Sequence, residues 1–265
     1  MRRHAFALAL AAIFVLLTGS YGQSQPAKPK VPPGMPTAGS GAVAVLSTGV
    51  DYTLPAVFNR LARDAEGEII GYDAVDDDRR PYAPAGPDGD VTSLAAQWPM
   101  RFVHVRVDPK RPETLARAVA WIARSPARIV ILAMWSSDPA AWEAFRVAAV
   151  ANANLLFIVA AGDEGADIDV APVYPAAFKL DNMIVVSAIA SSDSRTAPNV
   201  GIKTIDLLAV PPAARREAPS SPNARVRKSS EATFALATLF FCYIRHRDCA
   251  TTFAVRHRQP TCGAS

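Results

Sequence analysis

An α/β domain built on a mostly parallel sheet, with helices on both faces, is predicted by three observations. Short apolar runs of strand length recur between residues 42 and 209, and segments of helical periodicity separate them. The connections carry the prolines, glycines and acidic residues of loops, so the chain reads as successive βαβ units. At 265 residues it is long enough to bury the core that such a sheet requires.

The elements follow in order. Residues 42–46 form a continuous apolar run, the pattern of a parallel strand buried on both faces. Glu68-Ile69-Ile70-Gly71-Tyr72 reads as a second strand, followed by an acidic, Pro/Gly-rich loop over 73–89. Residues 102–107 alternate as a strand, and His104 within it reads as a packed strand residue. The spacing of Leu115, Val119 and Ile122 predicts a helix over 112–124. Residues 129–134 are a further apolar strand, and Asp138 is placed to cap a helix over 139–152. Strands over 155–160, 183–189 and 205–209 complete the set. Residues 231–244 are apolar on every side, which marks a buried central helix, and the run is too short to cross a bilayer.

The two ends differ from this body. Met1-Arg2-Arg3-His4 is basic, residues 5–17 are apolar, and Ser20-Tyr21-Gly22 supplies small residues before a cleavage point. Residues 1–22 therefore read as an export signal, with an uncleaved anchor as the alternative, and the expected location is periplasmic or secreted. Residues 23–40 are a Pro-rich linker, 41–244 the domain, and 245–265 a basic tail. An oxidising destination permits a disulfide. Cys249 and Cys262 would close a small loop and Cys242 sits in the apolar run, but three cysteines leave the pairing open. The net charge of +4 is spread without one basic face, so no nucleic acid is expected as partner, and no membrane beyond the signal segment.

Several motifs, in order, resemble the subtilisin-like serine peptidases (subtilases, peptidase S8). Val43-Ala44-Val45-Leu46-Ser47-Thr48-Gly49 resembles the strand that ends in Asp-Thr/Ser-Gly in that family, with Ser47 at the Asp position. Residues 68–78 resemble its Ile-Val-Gly-Tyr-Asp segment and acidic sequel. Gly89-Asp90-Val91-Thr92 falls where the family has Gly-His-Gly-Thr, with Asp90 at the place of the general base. Ala160-Ala161-Gly162-Asp163-Glu164-Gly165 resembles Ala-Ala-Gly-Asn-x-Gly, with Asp163 in place of the oxyanion-binding Asn. Tyr174-Pro175-Ala176 and residues 181–188 match further segments. Lys228-Ser229-Ser230-Glu231-Ala232-Thr233 falls where Gly-Thr-Ser-x-Ala opens the buried helix, so Ser230 matches the nucleophile, and a slip of one residue would select Ser229.

The resemblance implies a subtilisin-like fold and a site with three of its four chemical functions replaced. Such a site attacks a peptide carbonyl with a serine, takes its proton on a histidine that an Asp orients, and binds the oxyanion with an Asn. Ser47 carries no carboxylate to steady an imidazolium. Asp90 is a poor base for a hydroxyl, since carboxyl groups ordinarily titrate at about 3.9. An ionised Asp163 would repel the oxyanion that an amide stabilises. In subtilisin itself, loss of the serine or the histidine costs about 2 × 10⁶ in kcat, and loss of an oxyanion donor costs roughly 10²–10³. No other histidine has a motif around it. The Ser230 and Lys228 side chains, two residues apart, are not expected to meet.

The expectation is an exported pseudoprotease with a binding or regulatory role and a peptide or protein partner in its remnant cleft. Met134, Trp135, Ala161 and Gly162 would form that cleft, and Trp135 would be either a packing residue, a block in the groove or an anchor for the partner. The alternatives are an active endopeptidase that uses Ser230 with an unorthodox base, and a decayed gene product. No cofactor is expected. Calcium is the one metal that Asp76-Asp77-Asp78 with Asp88 suggests, although that loop lacks the ligand spacing of an EF-hand.

Overall fold

The computed structural model describes residues 27–37, 42–84, 100–188 and 198–209. Their frame is a seven-stranded sheet of β1 (Ala42–Ser47), β2 (Gly71–Asp73), β3 (Arg101–Arg106), β4 (Ile129–Leu132), β5 (Leu156–Ala160), β6 (Met183–Ala188) and β7 (Leu207–Ala209). The order is β2-β3-β1-β4-β5-β6-β7, and every neighbouring pair is parallel. The central strands have apolar side chains on both faces, and β1 and β4 are buried at every position. This is why their sequences are continuous apolar runs rather than alternating ones.

One face of the sheet packs on α2 (Pro112–Ile122) and α3 (Glu143–Ala151). Leu115, Ala118, Val119 and Ile122 form a fully buried stripe on α2, and they meet Ala44, Leu46, Val103, Val105, Val130 and Leu132. Burying each large side chain of that stripe is worth about 1.5–3 kcal/mol. Trp142, Phe145 and Phe157 meet edge to face at 6.1 and 5.1 Å and key α3 to β5. The Tyr72 ring stacks on Trp121 at 5.3 Å and ties the edge strand β2 to α2. Val43, Val45, Phe102, His104, Ile131 and Ile158, on the opposite face, are also buried. The helix expected over 231–244 lies outside the described residues, as do residues 1–22, read as an export signal, residues 245–265 and all three cysteines.

Several boundaries differ from those expected, each for a local reason. The second strand is confined to Gly71–Asp73 because the backbone before it is otherwise engaged: the Ile70 N–H donates to Ala62 O, and the Asp64 N–H donates to Glu68 O. The helix expected from residue 139 opens as a 3₁₀ turn, Ala140–Trp142, and becomes α-helical at Glu143. Asp138 still accepts the Ala140 N–H at 2.9 Å. A single helical turn, α1 (Pro55–Phe58), has no periodic signature and was not expected.

Residues 27–37 form no helix or strand, as a Pro-rich segment should, yet they are docked on the domain. Val31 packs on a second apolar cluster of Val50, Tyr52, Val57, Leu61 and Ile69. Tyr52 Oη donates to Pro29 O at 2.9 Å, and the buried Arg63 donates to Pro32 O at 2.9 Å. The Lys28 ammonium reaches Asp73, Asp76 and Asp78 at 2.5, 2.9 and 3.1 Å, and Arg106 holds Asp73 and Asp76 from the other side. Burial works against the Lys28 charge, but these hydrogen bonds outweigh it and raise its pKa; the same Lys28 contact lowers that of Asp76.

Candidate functional site

In an open parallel sheet the ligand crevice lies beyond the carboxyl ends of the strands, where the strand order reverses. The reversal here is at β1: the chain runs out to β2, returns through β3, and continues with β4 on the other flank of β1. Ser47 ends β1, Met134 and Trp135 follow β4, and Ala161, Gly162 and Asp163 follow β5. The fold thus brings the residues singled out in three separate motifs to one edge of the sheet.

Ser47 is buried, with 3 % exposure, and its hydroxyl is consumed by its own turn. Oγ donates to Gly49 O at 3.1 Å and accepts the Gly49 N–H at 3.2 Å. Gly49 has φ +127°, and a Cβ there would lie 2.5 Å from the Ala83 Cβ. The glycine is therefore demanded by the turn, whatever chemistry residue 47 carries. Asp90 and Ser230 lie outside the described residues.

The β5 end is built around Asn199, which sequence reasoning did not single out. Asn199 is 1 % exposed. Its Nδ2 donates to Ala161 O at 2.9 Å, and its Oδ1 accepts the N–H groups of Glu164 and Ala166 at 3.0 and 2.9 Å. Its own N–H donates to Gly162 O at 2.9 Å, and its carbonyl accepts the Ser187 hydroxyl at 2.6 Å. One buried amide thereby sets the course of the whole 161–166 loop. Gly162, at φ +98°, permits the close approach: a Cβ would stand 2.5 Å from Asn199 Nδ2. Asn199 follows Pro198 in a stretch without periodicity, and nothing local in the sequence marks it.

Ala161 is fully buried, with its N–H and carbonyl already bonded to Val186 O and Asn199 Nδ2, and neither it nor Gly162 lines the cleft that Met134 and Trp135 border; Asp163 is half-buried. Trp135 is half-buried, and its indole Nε1–H donates to Glu164 Oε1 at 2.6 Å. The second carboxylate oxygen of Glu164 accepts from Asn199 Nδ2 at 2.9 Å. The wall that follows β4 is thus bonded directly to the wall that follows β5. Trp135 also borders an open cleft of about 580 Å³, lined by Pro109, Lys110, Met134, Asp138 and Trp142 among others.

His104 is buried on the sheet face away from α2 and α3, and its Nδ1 has no hydrogen-bond partner among the described residues. Burial lowers its pKa from 6.5 to about 4, so it is neutral at physiological pH. It stands where it was expected, as a packed strand residue. Of the acidic residues singled out for calcium, Asp88 lies outside the described residues, and the other three are engaged within the chain. The carboxylates of Asp73, Asp76 and Asp78 already converge on the Lys28 ammonium, and the Asp77 carboxylate accepts the Tyr72 hydroxyl at 2.7 Å. No cluster of His, Cys, Asp or Glu suited to a metal occurs among the described residues.

The sequence matches no protein-family model and no curated protein sequence. Solved structures similar to this chain include the epidermin leader peptide processing serine protease EpiP of Staphylococcus aureus, at 16 % identity and a TM-score of 0.49, over 66 % of this chain and 53 % of that one. Another is fervidolysin of Fervidobacterium pennivorans, a keratinolytic enzyme related to subtilisin, at 17 % identity and a TM-score of 0.48, over 80 % of this chain and 37 % of that one. The chain spans about half the length of the first and little over a third of the second.

Proposed function

We propose that this protein is an exported relative of the subtilisin-like peptidases that binds peptide or protein partners at the carboxyl edge of its sheet and does not hydrolyse them. The observation that carries the reading is the state of Ser47. The position that would orient a catalytic imidazole holds a hydroxyl bonded inside its own turn, to Gly49 O at 3.1 Å. Even if an imidazole were brought to it, no carboxylate would stabilise the cation that proton transfer creates. Asp90 at the base position and Asp163 at the oxyanion position support the same conclusion from the sequence. The basic and apolar character of residues 1–17 supports export.

What remains is a cleft with a half-buried aromatic side chain at its wall, the composition of a binding anchor. The test is fluorescence anisotropy with a dye-labelled casein digest. Saturable binding that weakens at least about tenfold in Trp135→Ala, with no cleavage of the digest, is expected. Cleavage, or binding that ignores Trp135, would overturn the reading.

A further inference from the structure

Glu164 is exposed, yet both oxygens of its carboxylate are held by nitrogen donors from elsewhere in the chain: Oε1 by Trp135 Nε1 at 2.6 Å, and Oε2 by Asn199 Nδ2 at 2.9 Å. The donors are the fixed half of this arrangement. Asn199 is buried and anchored at its main-chain N–H, its carbonyl and its amide oxygen; Trp135 packs against the main core. The carboxylate is the replaceable half, at the end of a flexible side chain on a surface loop. Room for it exists because residue 162 is a glycine. A Cβ there would stand 2.5 Å from Asn199 Nδ2, 2.7 Å from Glu164 Oε2 and 3.0 Å from Trp135 Nε1.

From this juxtaposition we propose that Trp135 and Asn199 form a carboxylate-binding seat that Glu164 occupies from within, and that the partners of this cleft are acidic peptides whose carboxylate displaces it. The inference rests on the cleft-binding reading above and names the ligand class for it. If Glu164 swings away, the bonds that Trp135 Nε1 and Asn199 Nδ2 donate to its carboxylate are given up. An incoming carboxylate restores both at once, whereas a neutral side chain does so less well, because charge-assisted hydrogen bonds are roughly twice as strong as neutral ones. The adjoining cleft of about 580 Å³ has room for the rest of such a ligand: Met134 and Trp142 give it apolar walls, and its lining carries one charge of each sign, Lys110 and Asp138. Glu164 then acts as a competitor in cis, and a weak or neutral ligand does not open the seat.

The test uses an acetylated, amidated tripeptide ending in aspartate, its asparagine counterpart, and acetate alone, titrated against the full chain and followed by tryptophan fluorescence. Glu164→Ala is expected to bind the aspartate peptide at least about tenfold tighter than the asparagine one, and tighter than the unmodified protein does. Adding Trp135→Phe, which keeps an aromatic ring but removes the indole N–H, is expected to erase that preference. Acetate is expected to raise the Tm of Glu164→Ala saturably and leave that of the unmodified protein unchanged. Equal affinity for the two peptides would overturn the carboxylate assignment and leave the binding function standing. Response to acetate with neither peptide bound would support the seat and overturn the peptide-binding reading. Glu164→Gln, which keeps the size and one acceptor, is titrated alongside in case the alanine variant fails to fold, with the same ranking of peptides expected.

Discussion

His104 offers the sharpest perturbation, because its burial and its unmet Nδ1 make a defined pH dependence. The imidazole is buried on β3 beside Phe102, whose ring centroid lies 6.0 Å away, and in register with Val45 of β1 and Gly71 of β2. The charged groups on the same face are Arg106, two residues on along β3 itself, and Asp73 of the neighbouring β2; they pair at 2.8 Å within a network that includes Lys28 and Asp76. In the fold the imidazole takes up a proton only near pH 4, whereas in the unfolded chain it does so near 6.5. The unfolded state therefore binds more protons between these values, and stability falls as pH drops through that window. At 1.36 kcal/mol per pH unit the full loss is about 3 kcal/mol, begun below pH 6.5 and complete by about pH 4. His104→Leu removes the titration at similar volume. Urea denaturation of both proteins at several pH values from 7 to 4 gives a difference curve to which the other groups contribute equally. The expected result is a variant within about 1 kcal/mol of the parent at pH 7 that gains on it by about 3 kcal/mol at pH 4. A flat difference curve would refute the claim that His104 is held neutral in the core.

Other perturbations follow from the same geometry. Lys28→Met keeps most of the side-chain length and removes the ammonium from Asp73, Asp76 and Asp78. Since Arg106 still pairs with the fully buried Asp73, a loss of about 2 kcal/mol is expected in urea melts, smaller than for an unrelieved buried charge. Gly162→Ala forces a Cβ to within 2.5 Å of Asn199 Nδ2 at φ +98°, and should cost about 2–4 kcal/mol in thermal unfolding. Ser47→Asp exchanges the hydroxyl that donates to Gly49 O for a carboxylate facing that carbonyl at a buried position. It should lower stability by about 1–3 kcal/mol and, on the proposed reading with Asp90 at the place of the base, bring no casein hydrolysis.

The parts of this fold that were readable in the sequence are those where burial dictates composition. Runs such as Ile129–Leu132 have no polar choice on either face, and the stripe of Leu115, Val119 and Ile122 can serve only one side of a helix. Elements set by contacts distant in sequence were not readable. The docking of residues 27–37 depends on Lys28 meeting Asp73, 45 residues away, and a Pro-rich composition does not reveal it. Residues 69 and 70 have the composition of a strand but pair with the segment around Ala62 and Arg63, so the sheet strand begins only at Gly71. At the site, Ser47, Asp163 and Trp135 were legible because motif spacing places them after successive strands. Asn199 was not, since its role comes from bonds to Ala161, Gly162 and Glu164 more than 30 residues earlier, and a lone asparagine after a proline has no pattern. Glu164 stood in a recognised motif, but its partners Trp135 and Asn199 come from other loops.

The central claim is that no serine in this protein is activated for attack. It is tested most directly by incubating the purified, folded protein with a fluorophosphonate probe, which labels only serines whose hydroxyl a base has made nucleophilic. Ser230→Ala serves as the control. The proposed reading, in which Ser47 and Asp90 stand at the places of the orienting carboxylate and the base, predicts that neither protein is labelled. Labelling of the parent that vanishes in Ser230→Ala would contradict the claim and would require a base within hydrogen-bond reach of Ser230.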